Sequence, residues 1–175
     1  IVDSYEVTDN EDGSKTYTFK IKEGLVYNNG EAITAKDYCA FMMWWSSKAF
    51  GDLGGKNYVG QYLLGYADFA AGDAKEFAGV RLLGDYEFSF TLAAENVPYF
   101  YELTMFDATP FHWTSWVGED VDIADDGDGA YFTVDLVAED IKAQVEEARW
   151  AVDRVTAGQW SLVGFDNSAK YATLE

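Results

Sequence analysis

Histidine and cysteine, which supply many catalytic bases, nucleophiles and metal ligands, each occur once in this sequence, as His112 and Cys39. Catalysis of the Ser-His-Asp type needs a nucleophile and an orienting acid beside the base, and no G-x-S-x-G motif accompanies His112. Cys39 has no second cysteine to pair with, and its helical segment predicts a small buried hydrophobic residue. We therefore predict no catalytic residue and no cofactor, and expect His112 to be a surface or hydrogen-bonded residue.

Acidic residues are concentrated in one segment, at Glu119, Asp120, Asp122, Asp125, Asp126 and Asp128. A calcium-binding loop arranges oxygen ligands at alternating positions around a central glycine and ends in a bidentate glutamate. Counted from Asp120 or from Asp126, the glycine and the glutamate both fall at other positions. The pattern predicts a solvated acidic loop and no metal site, with calcium binding as the alternative.

Four of the six tryptophans form two close pairs, Trp44 with Trp45 and Trp113 with Trp116. Exposed indole rings beside paired acids would suit a carbohydrate-binding or glycan-active module, which is the alternative function for this chain. However, Trp45 falls on the apolar stripe of a predicted helix, and large aromatic side chains contribute most often to a core. We therefore favour core positions for these residues.

The composition limits the possible partners. The chain has 175 residues, enough for one domain or a two-lobed piece of something larger. Its 31 acidic residues exceed its 12 basic ones and give a net charge of -19, which argues against nucleic acid or an anionic membrane surface. No apolar stretch approaches the roughly 20 residues that insertion across a bilayer needs. The first residue is Ile1, not methionine, so we expect a processed product or a segment of a longer protein.

Turn signals and apolar periodicity predict the elements that position these residues. The first predicted hairpin covers residues 1–22 and turns at Asp12 and Gly13, and the second covers 80–92 and turns at Gly84 and Asp85. The third pairs 160–165 with 171–174 and turns at Asp166, Asn167 and Ser168. The predicted helices run from Thr34 to Gly51, over 57–71, over 99–103 after Pro98, and over 136–155. Since most strands come as hairpins among helices, the predicted fold class is α+β or mixed α/β.

Residues 17–38 carry a distinctive order of features, YTFKIKEGLVYNNGEAITAKDY. A Y-T-F strand leads to Gly30, and a T-A-x-D motif formed by Thr34 and Asp37 opens a helix with a capping box. This order resembles the family 5 extracellular solute-binding proteins, which are the oligopeptide and dipeptide receptors of ABC importers. Gly30, Thr34 and Asp37 are accordingly expected to be structural signature residues.

Later stretches resemble other parts of that family in the same order. Residues 79–92 are similar to its strand pair, and NVPYFYEL at 96–103 is similar to its proline-aromatic segment. Residues 156–175 resemble its G-P-Y strand and the arm that follows, with Trp160 in place of the tyrosine. The acidic segment and helix at 118–155 have no clear counterpart.

The resemblance implies a sub-domain of a type II periplasmic-binding-protein-like fold, in which two lobes close on a ligand by hinge motion. It implies that residues 1–117 form the small sub-domain of the first lobe, that 118–155 add an acidic loop and helix, and that 156–175 return into the lobe. Tyr62 and Phe106 fall in segments that resemble cleft-facing parts of the oligopeptide receptors, so they are the candidate ligand contacts.

The function implied by the resemblance is the capture of peptides or similar small solutes for an ABC importer, by binding and not by catalysis. The expected partners are the solute, which also needs a lobe outside this chain, and the importer permease. The expected form is a monomer outside the cytoplasm, either a cell-surface lipoprotein or a periplasmic protein.

Overall fold

The computed structural model describes residues 1–166 and 168–175. Its strands are β1 (Val2–Asp9), β2 (Lys15–Ile21), β3 (Val80–Gly84), β4 (Glu87–Leu92), β5 (Ile123–Asp125), β6 (Ala130–Phe132), β7 (Leu162–Asp166) and β8 (Tyr171–Leu174). Its α-helices are α1 (Ala35–Trp44), α2 (Lys48–Asp52), α3 (Tyr66–Ala71), α4 (Thr114–Val117) and α5 (Ala138–Trp150), with 3-10 helices at Ala94–Asn96 and Glu102–Met105. This mixture of antiparallel hairpins and helices confirms the predicted fold class. Within the described residues, no helix is both long and apolar enough to cross a membrane.

The main sheet is antiparallel and has the strand order β1-β2-β4-β3. The first two predicted hairpins are confirmed, since β1 pairs with β2 and β3 pairs with β4. Phe19 pairs with Phe88 in the centre of the sheet, and the alternation of side chains puts both rings on one face. Tyr38 of α1 stacks on Phe88 with ring centroids 4.9 Å apart, and Trp44 at the end of α1 is fully buried. The core therefore lies between this face and α1.

The turn between β3 and β4 lies one residue later than predicted, at Asp85 and Tyr86. Gly84 pairs with Glu87 and so belongs to the strand pair, not to the turn. The register shifts between Leu82 and Gly84, and this irregularity moves the turn along the chain.

Helix α1 begins after Thr34 as predicted, because the Asp37 carboxylate accepts the Thr34 N–H at 2.7 Å and its hydroxyl at 3.2 Å. The predicted end at Gly51 is wrong, since the helix ends at Trp44. The Ser47 hydroxyl donates to the Trp44 carbonyl at 2.9 Å and also accepts an N–H from the first turn of α2. One serine therefore ends α1 and caps α2.

Two other predicted helices are wrong in part. Of residues 57–71, only α3 is helical, and Gly65 before it has a φ of +75°, which interrupts a right-handed helix. The proline-aromatic segment is not helical over 99–101, and a 3-10 helix begins only at Glu102. The Glu102 carboxylate binds Lys15 on β2. Because the two residues are far apart in the sequence, helical periodicity does not reveal this contact.

The acidic segment contains a hairpin that the sequence did not predict, in which β5 pairs with β6. Ile123 and Phe132 of this hairpin are buried in the core. Helix α5 lies within the predicted range 136–155, and its buried residue Val145 belongs to the predicted apolar face. The last hairpin is confirmed as β7 paired with β8, while Asn167 of its predicted turn lies outside the described residues.

Candidate ligand-binding surface

The two predicted ligand contacts differ in exposure. The Tyr62 carbonyl accepts the Ala93 N–H at 3.0 Å and the Asn96 side-chain amide at 3.1 Å, which holds its backbone beside the end of β4. The residue as a whole is 36% exposed. Phe106 is only 5% exposed, because its ring packs on Tyr17 with centroids 4.9 Å apart. The role of Tyr62 and Phe106 in ligand binding stays a prediction.

Three consecutive exposed aromatic residues, Tyr99, Phe100 and Tyr101, form what we call the aromatic loop. Phe100 is 87% exposed, and its ring stands perpendicular to that of Tyr101 with centroids 4.6 Å apart. The rings of Tyr99 and Tyr101 are 6.5 Å apart. Contiguous exposed apolar groups are uncommon on monomeric proteins and often mark interaction surfaces. The loop is therefore a candidate binding surface.

A buried carboxylate, Glu102, anchors the base of the aromatic loop. It accepts hydrogen bonds from the Tyr17 hydroxyl, from the Tyr99 N–H at 3.0 Å and from Lys15 Nζ at 2.9 and 3.1 Å. These bonds, with that of Tyr17 the largest influence, lower the pKa of Glu102 to about 2. The ionised carboxylate thus fixes the loop to β2.

The sequence predicts a short helix in the aromatic segment and matches the segment to a family motif, and neither pattern indicates this anchor. Lys15 and Glu102 are 87 positions apart, so no local pattern connects them. The available signal was an acid directly after three aromatic residues, which by itself does not identify a partner.

Two of the three structural signature residues, Thr34 and Asp37, line a cavity of about 540 Å³ beside the start of α1. Buried Asp37 accepts the Tyr27 hydroxyl at 2.6 Å in addition to the Thr34 N–H. Gly30, with a φ of +88°, donates its N–H to the Tyr27 carbonyl at 2.9 Å and so closes the turn that follows Tyr27. Burial raises the pKa of Asp37, although these hydrogen bonds favour the ionised form. The signature residues thus form one connected unit of the fold.

His112 borders the same cavity and has partners on both ring nitrogens. The Ser115 hydroxyl lies 2.6 Å from Nδ1 and the Glu31 carboxylate lies 2.6 Å from Nε2, which confirms a hydrogen-bonded histidine. In a Ser-His-Asp catalytic site the hydroxyl is on Nε2 and the acid is buried. Here the hydroxyl is on Nδ1 and the Glu31 side chain is 61% exposed. The geometry therefore links two loops and does not match that of a nucleophilic serine.

One residue of the acidic segment, Asp125, is buried and contradicts the prediction of a solvated loop, whereas the Asp122 side chain is paired but 58% exposed. Asp125 accepts hydrogen bonds from Arg81 Nε at 2.8 Å and from the Leu82 N–H at 2.9 Å. Burial opposes its ionisation, but these bonds hold the pKa of Asp125 below its ordinary value. Asp122 pairs with Lys36 at 2.7 Å, so hairpin β5–β6 is tied to β3 and to α1. In the described part of the chain, no three Asp, Glu, His or Cys side chains are grouped as a metal site would require.

The tryptophans considered for glycan stacking lie in the core or against it. Trp44 is fully buried, and the rings of Trp45 and Trp116 contact each other with centroids 5.9 Å apart. The Trp113 indole N–H donates to the Val121 carbonyl at 2.7 Å. These positions confirm the predicted core role of the four residues, so they do not form the exposed stacking surface that the alternative function would need.

The fold is similar to those of solved OppA proteins. It matches Burkholderia pseudomallei OppA with a TM-score of 0.60 at 16% identity, over 95% of this chain and 27% of that one. It matches lactococcal OppA complexed with an endogenous peptide in the closed conformation with a TM-score of 0.61 at 15% identity, over 93% and 27%. For Listeria monocytogenes OppA bound to peptide, the TM-score is 0.57 at 20% identity, over 90% and 26%. The chain thus spans about a quarter of the length of these proteins.

These similarities define the chain as part of a protein with the solute-binding-protein fold. The sequence model of the bacterial extracellular solute-binding proteins, family 5 (middle), matches residues 3–174, and the chain belongs to this family. The expected family assignment is therefore confirmed. A comparison with curated protein sequences finds no match.

Proposed function

We propose that this chain contributes part of one lobe of an extracytoplasmic receptor that captures peptides or similar small solutes for an ABC importer. The family match over residues 3–174 carries this proposal. Two of the solved proteins with a similar fold, Listeria monocytogenes OppA and lactococcal OppA, contain a peptide, which supports a peptide as the ligand class.

In the proposed mechanism, two lobes close around the ligand and the closed form docks on the permease. These OppA chains are about three and a half times as long as this one, so most of the cleft would be formed by other segments. We propose that 1–117 is the small sub-domain of the first lobe, that 118–155 is an added loop and helix, and that 156–175 returns into the lobe.

The proposed activity is binding without catalysis. The side chains best suited to acid–base chemistry are hydrogen-bonded to other side chains. Asp37 accepts a hydrogen bond from Tyr27, and His112 is bonded to both Glu31 and Ser115. These bonds give each group a structural task, which supports a binding protein over an enzyme.

Tyr62 is the proposed direct ligand contact, because its ring is partly exposed while two hydrogen bonds fix its backbone. Phe106 is the second proposed contact. Its packing on Tyr17 leaves little of the ring exposed, so it would reach the ligand with one edge.

Location and partners complete the proposal. The receptor would be a monomer outside the cytoplasm, either anchored as a cell-surface lipoprotein or free in the periplasm. Its protein partner would be the permease of the importer. The net charge of -19 favours neutral, cationic or zwitterionic solutes over anionic ones.

The test uses the product of the complete open reading frame that encodes this chain, freed of bound ligand by unfolding and refolding. Calorimetric titration with an oligopeptide pool should give a dissociation constant of about micromolar or lower, whereas soluble glycans should give no heat. Tyr62→Ala should weaken peptide binding about fivefold or more, while Tyr58→Ala, also at an exposed tyrosine, should leave it unchanged. Saturable glycan binding without peptide binding would contradict the proposal.

A further inference from the structure

The aromatic loop lies in a stretch of sequence without basic residues, and Lys15, which reaches the base of the loop from β2, is paired with Glu102. No basic residue occurs between Arg81 and His112, and Glu95 and Asp107 on either side of the loop are both exposed. The face of an aromatic ring carries partial negative charge and attracts a cation within about 6 Å of its centroid. Exposed ring faces in a stretch flanked by exposed acidic residues are therefore suited to an organic cation.

The loop is held in position before any ligand binds. Its base is fixed by Glu102 through Lys15 and Tyr17, and the rings of Phe100 and Tyr101 contact each other at right angles. A surface that is already ordered loses less conformational entropy on binding than a flexible one.

The loop is continuous with the proposed ligand contact. The Tyr62 carbonyl is bonded to Ala93 and Asn96, which lie on the segment that leads into the loop from β4. A ligand that touches Tyr62 therefore lies near the stem of the aromatic loop.

We propose that the aromatic loop binds lysine or arginine side chains of a peptide ligand, so that the receptor prefers basic peptides. The inference rests on the proposed function, because it takes a peptide as the ligand. The net charge of -19 adds long-range attraction for cationic peptides, and the aromatic faces provide the short-range contact. A cation held over such a ring raises affinity by about two- to thirtyfold.

The test compares two synthetic pentapeptides that differ only in their side-chain charge, one with lysines and one with norleucines at the same positions. Both are titrated into the ligand-free product of the complete open reading frame. Phe100→Leu keeps an apolar side chain but removes the ring face. Leu103→Ala is the matched control, since it truncates an exposed apolar residue that follows the loop and has no ring.

The unaltered receptor should bind the lysine peptide more tightly than the norleucine peptide. Phe100→Leu should weaken binding of the lysine peptide about two- to thirtyfold and leave the norleucine peptide unchanged, while Leu103→Ala should affect neither. Equal affinity for the two peptides, or an equal loss for both in Phe100→Leu, would overturn this inference and leave the proposed function intact. Failure of both peptides and of the oligopeptide pool would overturn the inference and the proposed function together.

Discussion

Replacing Glu102 by glutamine removes the charge at the base of the aromatic loop and keeps the shape of the side chain. In the folded protein, hydrogen bonds from Tyr17 and from the Tyr99 N–H, with the further contribution of Lys15, lower the pKa of Glu102 from 4.5 to about 2. The pKa is lower in the folded state than in the unfolded state, so the ionised form stabilises the fold. This stabilisation is present above pH 4.5 and is lost as the pH falls toward 2.

The size of the effect follows from this difference in pKa. It corresponds to at most about 3 kcal/mol, and screening by solvent around the anchor reduces the expected loss in Glu102→Gln to about 1–2 kcal/mol. In a chain of this length, such a loss lowers the melting temperature by about 2–8 °C.

The assay is urea unfolding followed by circular dichroism at pH 7 and pH 3, on either side of the isoelectric point near 4.1. Glu102→Gln should be less stable than the unaltered chain at pH 7, and the difference should fall by about half or more at pH 3. Glu95→Gln, at an exposed acid, is the control and should match the unaltered chain. A difference that does not change with pH, or Glu102→Gln as stable as the control at pH 7, would refute this reasoning.

Three further substitutions test other parts of the fold by urea unfolding. Asp37→Ala removes the helix cap and leaves the buried Tyr27 hydroxyl without its acceptor, so the free energy of unfolding should fall by about 2–4 kcal/mol; a value within error of the unaltered chain would contradict this role. Asp125→Asn should lower the free energy of unfolding by about 1–2 kcal/mol at pH 7 and by less at pH 3, because the pKa of Asp125 is lowered in the folded state. A larger loss at pH 3 than at pH 7 would contradict this direction. Trp44→Ala should cost about 3–5 kcal/mol, whereas Trp160→Ala at an exposed position should stay within about 0.5 kcal/mol; equal costs would contradict the core assignment.

The elements that sequence reasoning predicted well depend on near neighbours in the chain. The start of α1 needs only Thr34 and Asp37, three residues apart. The hairpin β1–β2 follows from the turn at Gly13 and from the alternating residues of the strand after it, such as Tyr17 and Ile21, whose side chains are both buried. Signals of this kind are complete within a few residues, so the sequence displays them directly.

The elements that it predicted poorly depend on partners far along the chain. The segment after Pro98 has a helical pattern, but Glu102 binds Lys15 and Tyr17 of β2, and these contacts determine its conformation. Asp125 was one of 31 acidic residues, and its bonds to β3 exist only in the folded chain. For the candidate ligand-binding surface, the family resemblance gave Tyr62 as a predicted contact, whereas the exposure of the aromatic loop required the structure.

The central claim is that this chain is part of a receptor that holds a peptide. The most direct test is mass spectrometry of small molecules released by acid from the product of the complete open reading frame, purified from the cells that naturally produce it. We expect oligopeptides in stoichiometric amounts, enriched in lysine and arginine. A glycan released in place of peptides, or a protein that carries no ligand and binds no peptide from the pool, would contradict it.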